Sequence, residues 1–327
     1  MRICSLLPSA TEILFALGLD DEVAGVTHEC DFPPEARKKP VVVRSRLASA
    51  ADPAEIDRQV SEFLARGESL YSVDLDALRT IEPDLIITQD LCHVCAASPG
   101  DLATALARLP RQPRVLSLAP HTLADVWNDI RAVGEATGRA TQAHALVAEL
   151  ERRVAAVEHA VAGAAEHPRV VCMEWLGPPY AAGHWVPEMV ARAGGREVLG
   201  RVGEPSSRVR WEEILALRPE VIVLMPCGYG LAQVIEEFAR TQLPAGWEKL
   251  PAVRQGRVYA VDASGYFSRP GPRLAAGVEI LAQVLHPEHA QVAAPVEAVC
   301  SVLGRAGKNR SARSAHVSVP PHRSQHA

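Results

Sequence analysis

Apolar positions along this chain fall into two kinds of run, and the two alternate. Short unbroken runs at residues 2–7, 23–27 and 40–44 have the length of buried strands. Between the first two, Ser9 to Glu12 reads as a capping box, with Ile13, Leu14, Ala16 and Leu17 following at helical spacing and Gly18 as the stop. Asp52 and Pro53 open a further helix to about residue 65. A strongly helical stretch runs from Thr122 to about Ala165. Within it Leu146, Val147, Leu150, Val154, Val157 and Val161 form one stripe at steps of three and four. A helix of about 24 residues starting near Arg139 would reach about 36 Å, enough to pass from one lobe to another.

The pattern also repeats. Residues 75–88, with Leu75, Leu78, Ile81 and then Pro83 and Asp84, match residues 211–224, with Trp211, Ile214, Leu217 and then Pro219 and Glu220. In both copies a short helix ends at a proline, and an acidic residue leads into a buried strand. A coarser match pairs the opening strand–helix unit with residues 169–175 and the helix from Pro187 to about Ala193, stopped by Gly194 and Gly195. These units predict an α/β protein of two pseudo-equivalent lobes joined by one long rigid helix, with a ligand cleft between them. The expected divisions are an N-terminal lobe over 1–121, a helical linker over 122–166, a C-terminal lobe over 167–287 and a mostly disordered basic tail over 288–327. Everything beyond about Pro287 is expected to add little to stability or ligand binding.

Composition refines this picture in three places. The 327 residues suit two domains, and with 48% hydrophobic but only 5% aromatic residues the cores must be aliphatic. The net charge of −5 gives no nucleic-acid surface. Arg305, Lys308, Arg310, Arg313 and Arg323, with no acid beside them, make the tail basic and the body more acidic than the whole. The opening apolar run is too short for a secretory leader, and no stretch is long enough to span a membrane. The chain as written is therefore expected in the cytoplasm as a monomer, or in the periplasm or at the cell surface if the gene starts upstream. An odd set of seven cysteines argues for reduced thiols, metal binding or redox chemistry over a secreted disulfide framework.

In open α/β sheets, ligands bind beyond the carboxyl ends of the strands. The loops expected there carry Ser9, Thr11, His28, Glu29 and Cys30 from the first lobe. From the second come Glu174, Trp175, Tyr180, His184, Trp185, Cys227, Tyr229, Tyr266, Phe267 and Arg269. Six aromatics on one lobe, in so aromatic-poor a chain, favour a flat apolar ligand such as a macrocycle. Glu174 and His184 are candidates for a polar ligand edge, and Arg269 and Arg273 for a ligand phosphate or carboxylate. Cys92 and Cys95 form a C-x-x-C pair beside His93. With His28, Cys30 and Cys227 they make a candidate zinc or iron–sulfur set; a redox disulfide and plain buried thiols are the other readings of the same residues. Nucleophile elbows, phosphate loops and dinucleotide fingerprints are absent from the sequence.

Several segments together resemble a known family. Leu7 to Ile13 with Phe15 to Gly18, Gly25 to Thr27 with Asp31 to Pro33, Pro83 to Ile86, Pro178 to Tyr180 with Gly183, and Phe267 to Arg273 follow one another as in the periplasmic binding proteins that deliver cobalamin and iron–siderophores to ABC importers. The resemblance covers roughly residues 2–286 and is nearest the cobalamin-binding branch. It implies a corrinoid or related metal chelate as ligand, no catalysis, and an ABC permease as partner if the protein is exported. Where cobalamin-binding members present aromatics from the first lobe, this chain has His28-Glu29-Cys30 and Cys92-His93-Val94-Cys95. That departure implies an alternative: a cytosolic metalloprotein, redox enzyme or metallochaperone using the cleft cysteines.

Overall fold

A computed structural model describes residues 1–47, 53–89, 102, 106–289 and 295–303. Two sheets organise it. The first has the order β4-β3-β2-β1-β5-β6. Its strands are β1 (Ile3–Ser5), β2 (Val23–Thr27), β3 (Val41–Ser45), β4 (Tyr71–Val73), β5 (Leu85–Gln89) and β6 (Arg114–Leu118). All its pairs are parallel except β3 with β4. Helices α1 (Pro8–Ala16), α2 (Pro53–Ala65) and α3 (Leu75–Ile81) connect them.

The second sheet has the order β10-β8-β7-β11-β12-β13, with β9 beside β7. Its parallel centre is β7 (Arg169–Leu176), β11 (Val221–Leu224) and β12 (Val258–Val261). The short strands are β8 (Pro179–Ala181), β9 (Arg196–Glu197), β10 (Ser207–Arg208) and β13 (Val299–Ser301).

The internal repeat is reproduced down to single hydrogen bonds. Asp84 accepts from the Arg2 amide at 2.8 Å, and the Asp84 amide donates back to the Arg2 carbonyl at 2.8 Å. Glu220 and Arg169 make the same two bonds in the second lobe, each at 2.8 Å. The acid thus ties the entry of β5 to β1, and of β11 to β7. Each repeat helix, α3 and then α7 (Trp211–Leu217), closes on a left-handed residue just before its proline: Glu82 at φ 46° and Arg218 at φ 47°.

The linker carries the bridging helix expected from near Arg139, which begins at Ala140, with a second helix before it. It is a hairpin of α4 (Leu123–Thr137) and α5 (Ala140–Val161). Thr122 and Asp125 form a reciprocal cap at its start, and Gly138 turns the chain at φ 72°. The hairpin closes tightly because Gly134 has no side chain: a Cβ there would lie 2.3 Å from that of Ala143. Helix α4 packs on α1 and β6, so it belongs with the first lobe. Helix α5, about 33 Å long at 1.5 Å per residue, is the element that runs between lobes. Val147, Leu150, Val154, Val157 and Val161 are buried and Leu146 half-buried, and one continuous core passes through them from Ile3 and Ile13 to Leu274 and Leu281. Arg153 of α5 makes two hydrogen bonds, 2.8 and 2.7 Å, to Glu279 of α11 (Leu274–Leu285), fixing the helix to the second lobe.

Two expectations change. Ser9 and Glu12 make no capping box. The helix starts two residues earlier, at Pro8, with Leu7 as a cap that offers no side-chain bond. The tail boundary also moves, because residues 295–303 are structured. Strand β13 pairs antiparallel with β12, Ala298 is buried, and Val302 and Leu303 pack on the second-lobe core. Ala298, Val299, Val302 and Leu303 give this stretch apolar surface to bury, and β12 supplies the ladder for a three-residue edge strand. The basic residues from 304 onward lie outside the described residues.

Candidate functional site

The lobes meet through charge at the carboxyl ends of their strands. Glu12, one turn into α1, is buried, and both its oxygens are taken by arginines of the other lobe. Arg273 donates through Nε at 2.8 Å and Nη2 at 2.5 Å, and Arg269 through Nη1 at 3.4 Å. Arg269 also donates to the Asp31 carboxylate at 2.5 Å and to the Glu29 carbonyl at 3.2 Å. Burial alone would lower the Arg269 pKa; the carboxylates of Asp31 and Glu12 more than offset it and hold it above the ordinary arginine value. The Arg273 guanidinium lies 4.2 Å from the Phe32 ring centroid and 5.7 Å from that of Tyr266. A groove of about 380 Å³ opens further along α1, between Phe15, Phe32, Pro33 and Pro272.

This arrangement assigns Arg269 and Arg273 to the lobe junction, where protein carboxylates already occupy them. Sequence reasoning read Glu12 as a cap and so missed its role. The signal was present: a carboxylate flanked by Ala10, Thr11, Ile13 and Leu14 on a helix apolar all round is buried, and a buried charge needs a partner.

The aromatic loops divide in two. Trp175 and Tyr180 are directly opposed in the β7–β8 ladder and so share a face. The Tyr229 ring meets Trp175 edge-on, with centroids 5.4 Å apart and planes at 67°. All three are half-buried and stand at the carboxyl end of the second sheet. Backbone bonds hold the surrounding loops together: Cys227 amide to Glu174 carbonyl at 3.1 Å, Ser264 amide to Tyr229 carbonyl at 2.9 Å, and Gly228 amide to Ser268 Oγ at 3.3 Å. Trp185 and Phe267, by contrast, are core residues. Phe267 is 1% exposed, and the Trp185 indole N–H donates to its carbonyl at 2.8 Å. They support the loop from below and leave the platform to the other three, with Tyr266 beside Arg273.

His184 takes a left-handed backbone, φ 51°, and its amide donates to the Glu204 carbonyl. Its ring lies 5.8 Å from that of His121, which the sequence reading did not single out, and burial followed by His121 lowers its pKa. In the first lobe Ser9 and Thr11 are buried. The Thr11 hydroxyl bonds Ser5 Oγ at 2.8 Å and lies 3.1 Å from Cys30 Sγ. His28 and Glu29 are exposed at the end of β2, and Tyr71, also missed, stands 6.2 Å from the His28 ring.

Of the expected thiol set, His28, Cys30 and Cys227 lie among the described residues. Cys30 turns into the first-lobe core between Thr11 and Thr27, where burial pushes its thiol pKa up. Cys227 is exposed on its loop. Cys92, His93 and Cys95 lie outside the described residues. Among the described residues no three His, Cys, Asp or Glu side chains gather as a metal site, and no helix is long and apolar enough to cross a membrane.

Known proteins are similar to this chain in sequence and in fold. YvrC, an uncharacterized ABC transporter substrate-binding lipoprotein of Bacillus subtilis (strain 168), is 27% identical over 88% of this chain and 80% of its own length. A vitamin B12-binding protein of Photorhabdus laumondii is 24% identical over 88% of both. Among solved structures, a periplasmic heme-binding protein from Pseudomonas aeruginosa superposes with a TM-score of 0.69 at 20% identity, covering 90% of this chain and 95% of that one. The periplasmic vitamin B12-binding protein BtuF of Vibrio cholerae superposes with a TM-score of 0.64 at 23% identity, covering 87% and 96%. These two likenesses carry the fold alone. The profile of the periplasmic binding protein family matches residues 3–264, most of both lobes and all of the linker, and the chain belongs to that family.

Proposed function

We propose that this protein is the receptor component of an ABC importer, capturing a planar metal chelate of the corrinoid or tetrapyrrole class between its lobes. The observation that carries this reading is the platform of Trp175, Tyr180 and Tyr229 at the carboxyl end of the second sheet. Flat aromatic faces recognise a flat apolar ring by area and stacking. Glu174, next to Trp175 on β7, and His184, beyond β8, are the polar candidates of the second lobe, and His28, Glu29 and Tyr71 stand at the carboxyl end of the first sheet. The names of its relatives, which include vitamin B12-binding and heme-binding proteins, support the same ligand class.

Titration with hydroxocobalamin and with haemin, followed by visible spectra and calorimetry, tests the reading. Binding should appear in the wild type. Trp175→Ala should weaken it by about tenfold, the loss of roughly 1.4 kcal/mol of stacking and burial. No heat and no spectral change with either chelate at about 50 μM, where binding would be worth only roughly 6 kcal/mol, would refute it.

A further inference from the structure

His28 is the first residue beyond β2, at the ligand-facing end of the first sheet. Its amide donates to the Val43 carbonyl at 3.0 Å, and its ring Nδ1 lies 3.3 Å from the same oxygen. A carbonyl oxygen only accepts, so Nδ1 carries the proton. In the neutral ring the lone pair is then on Nε2. The side chain is exposed, and among the described residues no group hydrogen-bonds to Nε2. The Tyr71 ring, tilted at 49°, flanks the imidazole. The next residue, Glu29, receives a hydrogen bond from Arg269 of the second lobe, so His28 stands where the two lobes come together.

One nitrogen anchored on a backbone acceptor and the other open is the arrangement metal-ligating histidines adopt. We propose that His28 Nε2 is an axial ligand to the metal of the chelate bound between the lobes. This rests on the ligand class proposed above and narrows it to planar chelates with an exchangeable axial position. In the binding step the Nε2 lone pair forms a metal–nitrogen bond, and an axial water leaves with its own electron pair. The metal keeps its oxidation state, and no proton is released, because Nε2 bears none. A ferric trihydroxamate, whose six positions are already filled, gains nothing from this group. A corrinoid or haem with a water-occupied face does.

The test compares wild type, His28→Ala and His28→Asn with diaquocobinamide and with haemin, by visible spectroscopy and affinity. Both replacements are at an exposed position, and unchanged thermal unfolding by circular dichroism checks that they fold. Bound to the wild type, at least one chelate should show an imidazole-ligated spectrum. Bound to either variant it should show a water-ligated spectrum. Its affinity should fall at least ~10-fold, since losing even a group that orients a metal ligand costs about 10–100-fold. Free imidazole added to the His28→Ala complex should restore the wild-type spectrum. Identical spectra for wild-type and variant complexes would overturn axial ligation while leaving chelate binding intact. Retention of neither chelate by the wild type would overturn the broader reading, and the ligation with it.

Discussion

Replacing Glu12 with glutamine removes the one carboxylate that both junction arginines share. Two charges about 4 Å apart attract by roughly 4 kcal/mol at an effective dielectric of 20. Much of that is offset by the cost of burying them, so the attraction alone overstates what the contact contributes. The larger effect is what deletion leaves behind. Removing one partner of a fully buried pair costs about 3–5 kcal/mol, because the other charge stays buried without compensation. Here the arginines keep 14% and 19% of their side chains exposed, and Arg269 retains Asp31. The expected loss is therefore smaller, about 2–3 kcal/mol, and it falls mainly on Arg273, which among the described residues is left with no carboxylate, keeping the Gln amide oxygen as acceptor and the Phe32 and Tyr266 rings. Urea denaturation should show a lower midpoint for Glu12→Gln. The double variant Glu12→Gln/Arg273→Met should recover at least ~1 kcal/mol of the loss, the coupling expected of residues in direct contact. A single-variant loss below ~0.5 kcal/mol with no coupling would refute the reasoning, since the lobes would then be held together without this pair.

Two further outcomes follow from groups away from the junction. Asp129 on α4 is pushed up to about 7 by burial and then by Asp125 one turn before it. A folded-state pKa raised this way contributes stability that is full below the unfolded carboxyl value and lost as pH rises through about 7. Asp129→Asn should thus stabilise the protein by about 1–2 kcal/mol at pH 8, allowing for its partial contact with solvent, and the gain should fade as pH falls toward 4. Urea midpoints at several pH values check this, and a pH-independent gain would contradict it. Ending the chain at Pro287 removes β13 with Ala298, Val302 and Leu303. The burial these residues lose predicts a fall of about 2–4 kcal/mol in unfolding free energy, and a change below ~0.5 kcal/mol would mean that the strand does not pair in solution.

Features encoded within a few residues were legible from the chain alone. The repeat is one: helix, proline, acid and strand are adjacent in sequence, and Asp84 and Glu220 do the same job in each copy. So is the stripe on α5, where periodicity alone selects the buried face. The grouping of Trp175, Tyr180 and Tyr229 was legible too, rare residues whose position follows from strand direction. What escaped depended on distant partners. Glu12 looks like a cap until Arg273, 261 residues away, is placed beside it. Cys30 looks like a ligand beside His28, but the turn after β2 sends these two side chains apart, His28 outward and Cys30 between Thr11 and Thr27. The start of α5 was legible to within a residue, expected near Arg139 and found at Ala140, but the reversal onto α4 at Gly138 was not.

The helix that joins the lobes has a kinetic consequence. Reversal of lobe orientation would require breaking the α5 backbone ladder, its buried stripe and the Arg153–Glu279 fork together. The receptor therefore meets its ligand nearly pre-shaped, without a slow closing step to gate entry. Encounter rates for different guests of similar size should lie close together, within the one to three decades typical of related complexes. Discrimination among them is then a matter of residence time, of how slowly each guest leaves and not of how fast it arrives.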